Sequence, residues 1–185
     1  MRKTWVRFFT IADFEEEEAW LRSQQQNGWK LAKMTPPGIY TFESCAPQDV
    51  IYRLDYKNSS QTDEYMQMLK DFGWEYCEQC FGWLYFRKPA ASVEAEADGE
   101  LFSDNASRAE MVGHVVKTRY VPLMIIFLCC VIPNLVLSVI HGGSGAFELV
   151  LGIVFGILAV IYVYLIVHCG TKLKAMQERY RLTTH

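Results

Sequence analysis

Cys77-Glu78-Gln79-Cys80 is a spacing that could do chemistry. A redox CxxC wants its first thiol at a helix N-terminus, where the thiolate is stabilised. A zinc site needs two further ligands, and only Cys45 and His114 offer themselves. Here the pair sits at a strand end running into Phe81-Gly82, so half-buried strand cysteines are expected, with no disulfide, no metal and no cofactor. A second chemistry lies in the aromatic residues. Trp29 and Trp74 read as core anchors. Tyr40, Phe42, Trp83 and Tyr85 are the candidates for a cavity that takes an apolar or cationic ligand. A cation would sit on ring faces, helped by a carboxylate such as Glu43 or Glu75. The four glutamates at 15–18 read as a solvated first helical turn, able to dock a basic partner.

Catalytic signatures are missing. There is no HExxH, no phosphate-binding Gly loop and no nucleophile elbow. None of the four histidines falls within 1–88, which excludes a His-based triad there. No catalytic residue is singled out, and a non-enzymatic chain is expected.

The elements that must position these residues follow from punctuation. Gly28-Trp29 and Gly73-Trp74 stand 45 residues apart; Gly38 and Gly82 stand 44 apart. Each pair follows a helix-like stretch, 13–26 and about 61–72, and each stretch follows an apolar strand, at 5–9 and 50–56. Two strand–helix–strand–strand units are therefore expected, 1–45 and 46–88, as a weak internal duplication. Asp13 can cap the first helix, whose buried side would hold Phe14, Leu21, Trp20 and Ala19 or Glu18. Tyr65, Met68, Leu69 and Phe72 share helical spacing in the second. Gly28 and Gly73 suit left-handed helix ends, and Pro36-Pro37-Gly38 and Phe81-Gly82 suit hairpin turns. The expected fold class is α+β: one antiparallel sheet with both helices on one face.

Beyond 88 the composition changes. Residues 89–100 form an acidic linker without apolar periodicity. Ser103 or Asp104 can cap a juxtamembrane helix within 101–119. Two apolar runs follow, 120–141 and 147–169, each long enough to cross a hydrocarbon core of about 30 Å. The Gly-rich 142–146 is a tight external turn between them, and 170–185 is a basic tail. Pro122 and Pro133 are expected to kink the first run. Asn134 and Ser138 there read as interhelical hydrogen-bonding groups. Gly152 and Gly156 form a GxxxG in the second run, which lets the hairpin helices, or two protomers in a homodimer, approach closely. Lys117, Arg119, Lys172, Lys174, Arg179 and Arg181 flank the runs, while the turn has no Lys or Arg. Both termini are thus expected in the cytoplasm. The net charge of −3 argues against a nucleic-acid partner.

The chain resembles the bacterial membrane proteins grouped as domain of unknown function 2812, over roughly residues 3–120. The resemblance rests on Arg7-Phe8-Phe9, Gly28-Trp29, Tyr40-Thr41-Phe42, Tyr52-Arg53-Leu54-Asp55-Tyr56, Gly73-Trp74 and Leu101-Phe102-Ser103-Asp104 with Ser107-Arg108. It implies a cytoplasmic domain ahead of transmembrane helices and no established activity. The doubled unit order is also similar, at topology level, to the ligand-binding domains of gyrase-inhibitory-like proteins and multidrug-sensing regulators. The expectation is a membrane-anchored sensing or interaction module whose partners are the bilayer and a small ligand or protein. The alternative is an accessory subunit that joins a larger membrane complex through its hairpin.

Overall fold

The structure is a computed structural model and describes residues 1–56, 63–93, 99, 101, 105–140 and 146–182. The strands are β1 (Arg2–Val6), β2 (Trp29–Thr35), β3 (Ile39–Ser44), β4 (Val50–Tyr56), β5 (Glu75–Cys80) and β6 (Trp83–Pro89). Helix α1 (Phe14–Gln26) lies between β1 and β2, and α2 (Asp63–Asp71) between β4 and β5. Both helices end where expected, because Gly28 (φ 84°) and Gly73 (φ 82°) adopt the left-handed conformation that glycine enters without steric cost. The expected helix start at 61–62 lies outside the described residues.

The single expected sheet is divided in two. Strands pair antiparallel in the orders β1-β3-β2 and β4-β6-β5. Edge strands β2 and β5 run side by side, with Cα atoms within 8 Å, but are not joined by a ladder. Each of these facing edges carries a register shift, between Leu31 and Lys33 on β2 and between Tyr76 and Glu78 on β5. A bulge twists an edge and takes its amides out of line, which blocks continuous pairing. Side chains fill the seam instead: Tyr52, Tyr85 and Leu31 are buried there with Met34 packed against them.

Helix α1 fastens the sheets together. It packs on β2 of the first sheet and on β4 of the second. Its buried residues are Phe14, Glu17, Glu18, Leu21 and Gln25, at core-face spacing. The glutamate run is therefore not a solvated turn. Glu18 accepts the Leu54 amide at 2.7 Å and so satisfies the outer edge of β4, while Gln25 accepts from the Tyr52 hydroxyl. Of the alternatives Ala19 and Glu18, Glu18 is the buried one and Ala19 is exposed. In α2 only Leu69 is fully buried; Met68 and Phe72 face outward.

The first apolar rod is helical from 105 to 140, as α3 (Asn105–Val115), α4 (Val121–Ile126) and α5 (Ile132–Ile140). Wider π-helical turns at Val116–Tyr120 and Phe127–Val131 join them. Each π turn ends just before Pro122 or Pro133. A proline lacks the N–H for the i−4 carbonyl and clashes with it, and widening the turn relieves both. The second rod, α6 (Ala146–Leu182), is 37 residues long, about 55 Å. Residues 170–182 of the expected tail thus continue as helix, and Cys169, Leu173, Met176 and Tyr180 are buried. Two helices, Ser107–Ile140 and Phe147–Tyr180, are long and apolar enough to cross a membrane. Among the described residues, Asn134 and Ser138 bond within their own helix: each donates to the carbonyl four residues back, of Cys130 and Asn134. The expected turn at 142–145, the helix cap at 103–104 and linker residues 94–98 and 100 lie outside the described residues.

Candidate functional site

A cavity of about 320 Å³ opens between the two sheets beside the N-terminal turn of α1. Its inner wall is Glu17 from α1, Tyr40 from β3, and Trp83 and Tyr85 from β6; Phe9, Met34 and Cys80 complete the lining there. At its mouth stand Pro37, Phe81 and Arg119, with Thr10 and Ile11 on one side. The hairpin turns place these groups. Phe81 (φ 48°) and Gly82 (φ 84°) both take positive φ, giving the tight twist-matched turn that delivers Trp83 and Tyr85 to the cavity. A Cβ on Gly38 would lie 2.4 Å from the Arg7 carbonyl oxygen, so only glycine lets β3 begin this close to the 7–9 segment.

Glu17 is the centre of the site. It is 6% exposed, and the hydroxyls of Tyr40 and Tyr85 each donate to its Oε1 at 2.7 Å. Burial raises its pKa, the two tyrosine bonds oppose this only in part, and Asp13 adds a like charge. A carboxyl in such a place holds either a proton or a cation. Tyr40 and Tyr85 are in turn driven up by burial and by Glu17, so they stay protonated donors. Arg119, at the mouth, is held away from Glu17: its Nε donates to the Tyr56 hydroxyl and its Nη2 to the Phe81 carbonyl, both at 2.7 Å.

Of the residues singled out by sequence, Tyr40, Trp83 and Tyr85 line this cavity. Phe42 does not; it is buried behind it, edge-on to Trp5 and Trp20. Glu43 lies on the outer part of β3 and pairs with Arg2 at 2.8 Å. Glu75 lies outside this cavity and chelates Arg87. Glu17 and Met34 were missed. The signal for Glu17 was its place on the core face of α1 with Phe14, Leu21 and Gln25. Cys77 is half-buried on β5 and its thiol is pushed up to about 12, the reverse of an activated CxxC.

Both rods are fastened to the walls of this cavity. Arg119 ties the first rod to the Phe81 turn. Asp13, at the start of α1, ties the second. Its side chain does not cap α1; Oδ2 accepts from the amide and hydroxyl of Thr10 at 2.9 and 2.6 Å. Its Oδ1 lies 2.6 Å from Lys172 Nζ and 3.1 Å from His168 Nε2. Burial, which would raise the Asp13 carboxyl, is outweighed by bonds from Lys172, Thr10 and His168, which hold it well below the carboxylate range. Lys172 also meets Glu16 at 2.5 Å, and Glu15 accepts from Arg179 and Tyr180. The acidic start of α1 therefore docks a basic partner, and that partner is α6 of the same chain. Between the rods, the closest approach is not at the GxxxG. A Cβ on Gly152 would sit 3.6 Å from Ser138, and one on Gly156 would meet nothing within 4 Å. On Gly170 it would sit 2.5 Å from the Tyr120 hydroxyl, which itself bonds the Ile166 carbonyl.

These features define a class: an α+β domain with a polar-centred aromatic cavity, borne on two long apolar helices. The family comparison agrees in extent. The chain belongs to the family described as protein of unknown function DUF2812, whose family model matches residues 13–125, from the start of α1 into the first apolar rod. No curated protein and no solved structure matches the chain.

Proposed function

We propose that this protein is a membrane-anchored sensing module without enzymatic activity, whose N-terminal domain takes an organic cation into the Glu17 cavity. One observation carries the reading: a carboxyl buried at the wall of an aromatic cavity, whose hydrogen-bond partners among the described residues are tyrosine hydroxyls. A singly charged ligand with an apolar body supplies the missing countercharge, and Trp83, Tyr40 and Tyr85 supply ring faces. Arg119 and Asp13 give a route by which a filled cavity bears on both rods. The matching β-α-β-β order of 1–45 and 46–88 supports reading the domain as a duplicated pair. The basic residues flanking the rods support a two-span membrane protein with both termini cytoplasmic.

The test is a titration of the full chain in lipid nanodiscs with tetraphenylphosphonium, read by tryptophan emission. Glu17→Gln should weaken binding at least tenfold while sparing a neutral triphenyl analogue. Equal loss of both ligands, or of neither, refutes the electrostatic role of Glu17.

The hairpin-subunit alternative retains one supporting observation, the open face at Gly156. Gly156→Ile is its clean test, because Gly152→Ile would also strike Ser138 within the hairpin. Loss of co-purifying membrane proteins in Gly156→Ile with the Glu17 site intact would favour that reading.

A further inference from the structure

The mouth of the cavity lies level with the inner ends of both apolar rods. Arg119, whose Nη2 holds the Phe81 carbonyl at 2.7 Å, immediately precedes the first apolar run at 120. On the opposite lip, Thr10 shares Asp13 with His168 and Lys172, which bracket residue 169 at the end of the second run. Thr10 and Ile11 line the cavity, and so do Arg119 and Phe81. Two large apolar side chains project beside this mouth. Phe81 is 63% exposed at the tip of a turn, and Phe8 is 71% exposed next to Gly38, itself a lining residue. Phe81 stands where the apolar surface of the first rod begins, its carbonyl held by Arg119. Arg119, exposed beside Phe81, suits an anionic headgroup layer.

We infer that the cavity opens into the bilayer surface, with Phe8 and Phe81 seated in lipid, and that its ligand is a single-chain amphiphilic cation. The headgroup enters the Glu17 cavity while the alkyl tail stays in the leaflet. The occupant of the Phe8–Phe81 surface is the lipid itself, because Phe81 is held by Arg119, one residue before the first apolar run, and Phe8 borders the same mouth. The ligand class rests on the cation reading above; the placement of the mouth does not.

The experiment uses the full chain reconstituted in phosphatidylcholine vesicles. Phe81→Trp and Phe8→Trp are compared with the unmodified chain, using lipids brominated at shallow and deep acyl positions and acrylamide in the water. The added emission should be quenched by shallow bromines and shielded from acrylamide. Quenching by acrylamide alone overturns the placement, and protection from both quenchers points to a protein partner and overturns it equally. The second arm titrates alkyltrimethylammonium ions of increasing chain length. With the tail in lipid, the apparent aqueous Kd falls about fourfold per added methylene. A Kd independent of chain length overturns the lipid-tail arrangement. Lipid quenching without any cation binding would retire the Glu17 ligand and leave the membrane-facing mouth standing.

Discussion

Cation binding at Glu17 must displace a proton wherever the empty site is protonated. Burial holds the carboxyl above its ordinary value of 4.5, so from about there up to the raised value Glu17 is neutral in the empty cavity. A bound cation ionises it. One proton then leaves for each cation that enters, and affinity rises tenfold per pH unit, about 1.4 kcal/mol, through that window. Above the raised value the dependence flattens. Stability runs the opposite way. The folded chain keeps a proton that the unfolded chain has lost, so the stability contributed by protonated Glu17 is full below 4.5 and is lost as pH rises through the folded value. The slope is at most about 1.4 kcal/mol per pH unit, because a single group titrates. Calorimetric titration in two buffers of different ionisation enthalpy counts the protons directly. About one proton per cation is expected inside the window and none well above it. Tyr85→Phe removes a bond to the ionised form and should move the break to higher pH. Affinity that is flat across the window, or an unchanged slope in Glu17→Gln, would refute the reasoning.

Other perturbations test the frame around the site. Gly38→Ala places a methyl against the Arg7 carbonyl at φ 135° and should cost about 2–4 kcal/mol in urea unfolding, with the cavity mouth disturbed. Gly170→Ala drives a Cβ into the Tyr120 hydroxyl and should cost about 1–3 kcal/mol; adding Tyr120→Phe should recover most of it, and strict additivity would refute the contact. Lys172→Met should loosen α6 from α1, seen as faster amide exchange over 168–180. The Asp13 carboxyl lies below its ordinary 3.8, so its contribution is full above that pH and is lost as pH falls beneath it; Lys172→Met should blunt this acid transition. Cys77, pushed up to about 12, should resist alkylation at pH 7 in the folded chain and react on unfolding; rapid labelling of the folded chain would contradict the raised value.

Local rules carried far in this chain. Left-handed glycines ended both helices, the Phe81-Gly82 turn formed as expected, and β4 runs over the residues read as a strand. Each proline of the first rod follows a π turn, where a kink was the expectation. Where local rules failed, the deciding partner was distant. Charge goes to solvent by default, yet the acceptor oxygen of Glu17 meets hydroxyls 23 and 68 residues away. Glu18 caps an edge amide 36 residues on. Acids at core spacing on α1 were the legible sign, and hydrophobicity alone could not interpret it. Phe42 shares the buried face of β3 with Tyr40 but lies two residues further along, past the cavity, while alternation turns Glu43 to the opposite, more exposed face.

By itself, the order of residues determined the element types, the two apolar rods and the aromatic stock from which a cavity is made. Those follow from period, length and backbone conformation, which act over a few residues. Tertiary structure alone decided that the sheet splits at two bulged edges, that the acidic start of α1 serves α6, and that Glu17 becomes the buried pole of a cavity. Each depends on groups far apart in sequence meeting in a low-dielectric interior, where one hydrogen bond or one unpaired charge outweighs any local preference.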